Sequence, residues 1–203
     1  MDHIYRITHI DNIPHILSYG ITHQSSPNAN PNYVAIGNAT LIGKRGTSSL
    51  TTIDGQSFNP GEFIPFYFYM RMPMLLCIRD GYGVPKVNQE KIVYMVIKID
   101  SIVANKNLGY FFSDAHAIWG GSKFYGSNHI GNIDNILDKN AILNNDWGSD
   151  SIIKAHKQAE FLVKGDIPPD YIFAILCYNQ GAKTQLLNMG VKCPIHIFPE
   201  AYY

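Results

Sequence analysis

The sequence predicts a single α+β domain, and three observations support this class. Short apolar or alternating segments of strand length recur along the chain and are mixed with a few short helical patterns. The length of 203 residues suits one domain of ordinary size. No internal repeat, low-complexity tract or interdomain linker interrupts the sequence. We therefore expect residues 1–203 to fold as one unit.

The first third of the chain predicts one strand and one helix, followed by irregular structure. Residues 4–10 alternate and are rich in β-branched side chains, which is typical of a strand. A short amphipathic helix should follow and end at Gly20. Residues 23–32 are rich in Ser, Pro and Asn and predict a loop. Residues 38–62 are rich in Gly, Ser, Thr and Asn without periodicity, so we expect a long, mobile surface segment there.

The middle of the chain predicts three strands and a long polar region. Residues 63–78 form a dense aromatic and apolar run, which favours a strand broken at Pro73. Residues 92–100 predict a buried strand, and residues 109–116 a shorter one ending in polar side chains. Residues 117–151 are rich in Gly, Asn and Asp. That length exceeds a simple connection, so this region should carry specificity or cover a site.

The last quarter of the chain predicts two helices and three strands. Residues 151–163 indicate a short helix running into a strand. Residues 171–179 and 193–199 predict the last two strands. Between them, residues 181–190 predict a short helix that Gly190 closes.

Composition narrows the class of protein. The chain has 16 basic and 16 acidic residues and no net charge, which argues against a non-specific polyanion binder but leaves a local basic groove open. The three cysteines lack metal-ligand spacing and are expected to be buried thiols in a reducing compartment. No secretory pattern and no apolar run of about 18 residues is present. We expect a cytoplasmic protein without a metal.

Glu160 is the first candidate site residue. It directly precedes the apolar run Phe161-Leu162-Val163, although carboxylates are almost never fully buried without a partner. It is therefore either a solvated charge at the rim of a strand or a carboxylate placed in a cleft. In a cleft it would accept hydrogen bonds from a sugar hydroxyl or stabilise a developing cation. The local sequence leaves both alternatives open.

The first predicted strand offers a second candidate. Along a strand, Arg6 and Thr8 point to one face while Tyr5, Ile7 and His9 point to the other, so one face presents a polar pair. The helix start that follows would add backbone N–H groups suited to a phosphate or amide oxygen. The alternative is that Thr8 only caps the helix and His9 is an ordinary core histidine.

Arg45 is a third candidate because arginine is rare in this chain. It is either a solvated loop charge or the residue that holds a phosphate through paired N–H groups. Its Gly- and Ser-rich surroundings would allow a loop to close over a ligand.

Aromatic side chains are the fourth candidate group. If Phe66 and Phe68 face inward, Tyr67 and Tyr69 face the other way, where one of them could stack a flat cationic ring. Alternating aromatics more often pack a core. The long polar region adds four possible stacking surfaces for nucleobases, namely His116, Trp119, Tyr125 and Trp147.

Five blocks in a fixed order carry a resemblance: "IYRITHIDNIPHIL", "AIGNATLIGKR", "IPFYFYMRMPML", "FFSDAHA" and "KQAEFLV". Together they resemble the DarT family, toxins of DarT–DarG toxin–antitoxin systems that ADP-ribosylate bases of single-stranded DNA. The resemblance runs from residue 4 to about residue 178, and the block around Glu160 is the most telling. It implies an ADP-ribosyltransferase fold, in which a mixed β-sheet split into two halves holds NAD in a cleft.

The resemblance also assigns roles to single residues. The family's catalytic glutamate falls on Glu160 and its catalytic loop arginine on Arg45, with Lys44 as the alternative in a shifted register. The first-strand NAD motif, often His-Ile-Thr in the family, falls on Arg6–Thr8. Because Arg replaces His there, the later His9 could equally be the anchor. The predicted NAD-binding residues are thus Arg6, Ile7, Thr8, His9, Asn12, Lys44 and Tyr67, and Tyr67 is expected to stack the nicotinamide ring.

On the DNA side, the resemblance implies that residues 117–151 recognise the substrate. The predicted DNA-contacting residues are His116, Trp119, Lys123, Tyr125, Trp147 and Lys154. We also expect Lys157, together with Lys123 and Lys154, to line the DNA path. The implied partners are NAD as co-substrate, single-stranded DNA and a DarG-like macrodomain antitoxin.

Two alternatives keep the fold but change the function. One is an ADP-ribosyltransferase that acts on RNA or protein, and the other is a non-catalytic module that binds NAD or nucleic acid. Block similarity favours thymine over guanine as the modified base.

Overall fold

The computed structural model describes residues 1–203 and contains ten strands and eight α-helices. The strands are β1 (His3–His9), β2 (Leu50–Thr51), β3 (Ser57–Phe58), β4 (Ile64–Tyr67), β5 (Ile92–Lys98), β6 (Gly109–Ser113), β7 (Phe124–Tyr125), β8 (Glu160–Lys164), β9 (Ile172–Cys177) and β10 (Ile195–Ile197). The helices are α1 (Ile13–Tyr19), α2 (Ala39–Thr47), α3 (Pro73–Asp80), α4 (Ile99–Val103), α5 (Ile133–Ile136), α6 (Lys139–Leu143), α7 (Ser151–Lys157) and α8 (Gln180–Asn188).

Eight of the strands form one mixed sheet in the order β10-β9-β5-β1-β4-β8-β6-β7. Neighbouring strands are antiparallel except β9 and β10, which are parallel. Strand β1 pairs with β5 over its whole length, but it pairs with β4 only through Tyr5 and Tyr67. The sheet therefore consists of two four-stranded halves joined at one residue pair, which confirms the predicted α+β class and the split sheet.

Pro65 gives a physical reason for the narrow junction between β1 and β4. Proline has no N–H group, so β4 loses one of the donors that a sheet interior needs. The side chain of Arg6 on β1 takes part of that role, because its Nη1 donates to the carbonyl of Pro65 at 2.8 Å. A side chain thus bridges the two halves where the backbone ladder is interrupted.

Both faces of the sheet are covered by apolar side chains. Strand β5 is buried from Ile92 to Ile97, and its alternate residues belong to two separate clusters. The larger cluster includes Phe66, Phe68, Phe112 and Phe161, and the smaller one lies around Tyr94 and α3. This confirms that Phe66 and Phe68 face inward.

Two secondary-structure predictions were wrong. Residues 39–47 were expected to lie in an irregular surface segment but form α2, whose N-terminus is capped by the Asn38 side chain on the Leu41 amide at 3.0 Å. The apolar run after Pro73 was expected to continue a strand but forms α3, because proline at the first helical position suits a helix start. In both places local capping chemistry overrides the composition of the segment.

The long region 117–151 contains short elements rather than one loop. It holds β7, a 3-10 segment at Ser127–Asn132, α5 and α6 before α7 begins. Asp150 caps α7 by accepting from the amides of Ile152 and Ile153. The short turn after α7 then delivers the chain to β8, whose first residue is Glu160. No helix in the structure has both the length and the apolar character that a membrane span needs.

Candidate active site

The junction of the two half-sheets places Glu160 beside β4 and β1. Glu160 pairs with Tyr67, and Tyr67 pairs with Tyr5, so these three residues lie side by side across three strands. The sheet is interrupted at this point, because β1 and β4 share only this one pair. The junction lies beside a cavity that Tyr67 and Arg45 line, and Glu160 is fully buried next to them.

Glu160 is fully buried and is held by three groups. Nη2 of Arg45 lies 2.5 Å from both carboxylate oxygens, and the amide of Ala117 donates to Oε1 at 3.3 Å. The Glu160 amide in turn donates to Oγ of Ser113 at 3.1 Å. Burying a carboxylate is costly unless it is paired and hydrogen-bonded, and both conditions are met. The structure thus excludes the alternative of a solvated rim charge.

Arg45 reaches Glu160 because α2 packs its C-terminal end against the chain before β4. The Asn59 side chain donates to the carbonyl of Gly46 at 2.9 Å and fixes this end of the helix. Burial lowers the pKa of Arg45, but the Glu160 carboxylate more than reverses this, so the pKa lies above its ordinary value. Lys44, the alternative register, is exposed and lies outside the cleft.

Gly61 is the position on which the placement of Arg45 depends most closely. A Cβ atom at Gly61 would lie 2.5 Å from Cα of Gly46, which is too close for any side chain. We expect Gly61→Ala to push α2 away and to lower the rate of the reaction at Glu160 by about 10- to 100-fold, since small misplacements of reacting groups are costly. Gly43→Ala in the same helix is the matched control, because its Cβ would meet no atom within 4 Å. Equal rates for Gly61→Ala and Gly43→Ala would contradict this dependence.

A cavity of about 470 Å³ opens in front of Arg45 and Tyr67. It is lined by β1, α1, α2 and the segments around residues 21–38 and 60–65. Nη1 of Arg45 is buried and has no hydrogen-bond partner within the chain. An unused guanidinium donor beside a cavity fits an anionic group of a ligand, because buried donors are normally satisfied.

The structure brings only part of the predicted first-strand motif to the cavity. Arg6, Ile7 and Thr8 line it, whereas His9 and Asn12 do not. His9 caps the turn that follows β1 by accepting from the Asp11 amide at 3.2 Å. Asn12 is fully buried, donates to Thr8 and to the carbonyl of Val34, and accepts from the Val34 amide. Asn12 thus supports the chain at Val34 beside the cavity, while Arg6, Ile7 and Thr8 line it.

Tyr67 and His116 complete the surroundings of the ion pair. Both line the cavity. Burial, followed by the nearby Glu160 carboxylate, raises the pKa of Tyr67, so its hydroxyl stays protonated. Burial lowers the pKa of His116; Glu160 opposes this and Arg45 reinforces it, so the ring is neutral at pH 7. The cavity therefore presents an aromatic hydroxyl and a neutral imidazole beside one buried charge pair.

The other predicted DNA residues lie apart from the cavity. Trp119 is 38% exposed, and its ring meets His156 edge-on at 5.8 Å between centroids. Tyr125 stacks on Phe112 at 5.2 Å, and Lys123 is exposed. Trp147 is largely buried, with Nζ of Lys154 placed 5.3 Å from its ring centre.

Several cavity residues were not predicted from the sequence. They come from the loop after α1 and include His23, Asn30 and Tyr33. His23 contacts the carbonyl of Gly61 through Nε2 at 2.8 Å, so this loop and the Arg45 helix share a support. The Ser- and Asn-rich composition of residues 23–32 indicated a loop, and nothing in it indicated that the loop covers a site.

The fold and the cleft together define the class of protein to which the chain belongs. A split mixed sheet presents a buried carboxylate at its junction, next to an arginine with a free donor and a cavity large enough for a nucleotide-sized ligand. This arrangement suits an enzyme that binds an anionic, ribose-bearing substrate and stabilises positive charge on it, as an ADP-ribosyltransferase does.

Comparison with known proteins identifies the family. The family model described as ssDNA thymidine ADP-ribosyltransferase, DarT, matches residues 5–203. The DNA ADP-ribosyl transferase of Escherichia coli O127:H6 (strain E2348/69 / EPEC) is 31% identical over 185 residues, which cover 90% of this chain and 83% of that protein. The chain therefore belongs to the DarT family of DNA ADP-ribosyltransferases.

Solved structures agree with this assignment. Thermus sp. 2.9 DarT in complex with ADP-ribosylated ssDNA superposes with a TM-score of 0.85 at 27% identity, covering 100% of this chain and 96% of that one. The same protein in complex with NAD+ gives a TM-score of 0.79 at 27% identity, covering 100% of this chain and 98% of that one.

A fusion protein is also similar in sequence. The DNA ADP-ribosyl transferase–DNA ADP-ribosyl glycohydrolase fusion protein of Thermosipho africanus is 29% identical over 199 residues, which cover 97% of this chain and 48% of the fusion.

Proposed function

We propose that this chain transfers ADP-ribose from NAD to a thymidine base of single-stranded DNA, and that Glu160 and Arg45 carry the reaction. The observation that supports these two roles is the fully buried Glu160 carboxylate at the junction of the half-sheets, held by Arg45, which itself lines the cavity. Arg6, Ile7, Thr8 and Tyr67 are proposed to contact NAD, since they line the cavity beside this pair.

The chemistry follows from where the charges lie. Breaking the bond between nicotinamide and ribose builds positive charge on the ribose, and the Glu160 carboxylate is placed to orient the ribose hydroxyls and favour that charge. Nicotinamide leaves as a neutral ring with the bonding electron pair. A ring nitrogen of the base forms the new bond to C1 of the ribose, and the proton of that nitrogen is released to water.

Arg45 serves two groups at once in this proposal. Its Nη2 holds Glu160 in position, which leaves the buried Nη1 free to donate to a phosphate of NAD. Arginine is a poor proton acceptor, so we assign it to binding and orientation rather than to removal of the base proton.

Labelled NAD tests the proposed acceptor. The protein is incubated with labelled NAD and single-stranded DNA, RNA of the same sequence, or a protein mixture, beside Glu160→Gln. We expect label on DNA only and none with Glu160→Gln. Label on RNA or protein alone would overturn the proposed acceptor. Its absence from all three would favour a non-catalytic module.

Tyr67 is expected to act through its ring rather than its hydroxyl. Tyr67→Phe should leave the KM for NAD within about two-fold, because the aromatic face toward the nicotinamide is kept. Tyr67→Ala should raise that KM by about ten-fold through the loss of stacking on a cationic ring. Steady-state kinetics with varied NAD concentration measures the KM of both variants. A larger effect from Tyr67→Phe than from Tyr67→Ala would contradict a stacking role.

A macrodomain antitoxin is the partner that we propose for this enzyme. The Thermosipho africanus relative carries the transferase and a DNA ADP-ribosyl glycohydrolase in one chain, so the two activities act on the same DNA mark. We propose that this chain is likewise paired with a glycohydrolase that removes ADP-ribose from DNA, and that it acts in the cytoplasm, where NAD and single-stranded DNA are present.

A further inference from the structure

A second group of basic and aromatic side chains lies just past the end of the β4–β8 pair at which Glu160 stands. Tyr67 is the last residue of β4, Glu160 is the first of β8, and the two are paired. The strands are antiparallel, so the chain after Tyr67 and the chain before Glu160 leave the sheet at the same end. The first of these segments carries Arg71 and the second carries Lys157. Neither residue lines the cavity in front of Arg45.

Arg71 has an unusual backbone that is held from two sides. With φ of 50°, it is the one non-glycine residue of the chain with a positive φ. Its amide donates to the hydroxyl of Tyr94 at 3.1 Å, and its carbonyl accepts from the hydroxyl of Tyr203 at 2.5 Å. Backbone strain of this kind persists where the surroundings impose it, and it concentrates at ligand sites. The backbone of Arg71 is thereby fixed on both sides of the residue.

The guanidinium of Arg71 has no acidic partner. Its Nε is buried without a hydrogen-bond acceptor, and the group lies over the ring of Tyr203, 4.7 Å from the centre. Arg79 approaches the same ring at 5.6 Å, but its charge is compensated by Asp80, which it meets at 2.7 Å. Of these two arginines, Arg71 alone has an uncompensated charge.

Lys157 adds a second uncompensated charge. Only 2% of the residue is exposed, and its ammonium group donates to one acceptor, the carbonyl of Ile142, at 3.0 Å. Burial and, to a smaller extent, Arg71 lower the pKa of Lys157 to about 8. A nearby carboxylate would have raised this pKa, so the surroundings supply no anion. At pH 7 the group is still mainly protonated and has two N–H donors unused.

Trp147 contributes a third N–H donor. The residue is 9% exposed, and its Nε1–H makes no hydrogen bond of full geometry. The Tyr203 hydroxyl lies within its reach: burial raises the pKa of Tyr203, and hydrogen bonding from Trp147 and Arg71 opposes that rise. Trp147, Tyr203 and Arg71 are therefore neighbours.

We propose that Arg71, Lys157 and Trp147 form a subsite for a backbone phosphate of the single-stranded DNA, next to the nucleotide that is modified. Each of the three residues offers N–H donors and no acceptor, which is the chemistry that a phosphate oxygen requires. The three residues lie at the same end of the β4–β8 pair as Glu160, so a strand whose base enters the site can place a neighbouring phosphate there. NAD has its own cations in the cavity, Arg6 and Arg45. This inference rests on the proposed function.

The kinetic test compares Arg71→Gln and Lys157→Met with Arg79→Gln. The two subsite variants should raise the KM for a single-stranded oligonucleotide by about ten-fold or more, because each removes a charge-assisted hydrogen bond to phosphate. They should leave the KM for NAD unchanged. Arg79→Gln, at the same ring but already neutralised, should change neither value. An equal rise in the KM for NAD, or no rise in either KM, would overturn the subsite.

A binding experiment places the contact on one phosphate and does not depend on turnover. In a Glu160→Gln background, fluorescence anisotropy follows the binding of oligonucleotides that carry one neutral methylphosphonate linkage at successive positions. We expect one linkage beside the thymidine to weaken binding, and Arg71→Gln to abolish the effect of that linkage. Arg71→Gln should also reduce the slope of log K against log salt by about 0.7, the value for one phosphate contact in a single strand.

The outcomes of the binding experiment show whether the proposed function fails or only the phosphate subsite fails. If the Glu160→Gln protein binds no single-stranded DNA at all, the proposed function fails together with the subsite. If it binds and Arg71→Gln changes neither the salt slope nor the response to the neutral linkage, only the subsite fails. Thermal unfolding of each variant is measured in parallel. If Arg71→Gln does not fold, the subsite is tested instead with Lys157→Met and with the neutral linkages bound to the parent protein.

Discussion

Glu160→Gln is expected to lower the rate of ADP-ribose transfer to single-stranded DNA by about 1,000-fold. The amide has nearly the same shape as the carboxylate but carries no negative charge, so positive charge on the ribose loses its closest stabilising group. Glu160 is the only buried carboxylate of the chain and the only one paired with Arg45, so no other carboxylate is in position to replace it. Initial rates with labelled NAD and an oligonucleotide measure the loss.

Glu62→Gln is the matched control for this result. Glu62 is an exposed carboxylate that pairs with Lys164 at the surface, so its neutralisation should leave the rate unchanged. Because the lost interaction develops in the transition state, kcat should fall much more than the KM for NAD changes. A Glu160→Gln protein that keeps a tenth or more of the rate would contradict a catalytic role.

Arg45→Met is expected to give the second-largest effect, and it should affect both stability and activity. Removing the guanidinium leaves the buried Glu160 carboxylate without its ion partner, which should lower the free energy of unfolding by about 3 kcal/mol or more. The same change removes the free Nη1 donor from the cavity, so the KM for NAD should rise by at least about ten-fold. Denaturant unfolding and steady-state kinetics measure the two effects.

Two further variants separate the causes of the Arg45→Met effect. Lys44→Met removes a neighbouring exposed charge from the same helix and should change neither stability nor KM. The double variant Arg45→Met with Glu160→Gln should be more stable than Arg45→Met alone, because the uncompensated charge is gone. If the two substitutions are additive in the free energy of unfolding, the ion pair does not hold this site together.

The sequence predicted the position of Glu160 but not its environment. Local rules left the residue open between a rim charge and a cleft carboxylate, and the order of five blocks favoured the cleft. The partner that makes burial possible, Arg45, lies 115 residues away along the chain and on a segment whose composition predicted no helix. Pairing over that distance depends on the tertiary fold, which local propensity does not encode.

In the first strand, too, the local sequence predicted the element but not the partners of its side chains. The alternation of residues 4–10 predicted β1, and the structure confirms it. Alternation separated Thr8 from His9 by face, but it did not show that His9 would be used as a cap and Asn12 as a support for Val34. Short polar side chains near a helix start can bond to local backbone or to a ligand, and only the fold decides between these.

Arg71 illustrates what sequence reasoning missed. Its rarity was visible in the composition, but its block was interpreted as a strand interrupted at Pro73. The chain instead bends after β4, and this bend gives Arg71 its positive φ and directs it toward Tyr203. The signal behind the proposed subsite is therefore conformational rather than compositional.

We infer that the Glu160–Arg45 pair carries the modification of thymidine in single-stranded DNA. The most direct measurement is mass spectrometry of two oligonucleotides that differ only in one position, thymidine in one and deoxycytidine in the other, after incubation with NAD. We predict that the unaltered protein adds ADP-ribose to the thymidine oligonucleotide alone, and that Glu160→Gln adds it to neither. Modification of both oligonucleotides to the same extent, or undiminished modification by Glu160→Gln, would contradict the claim.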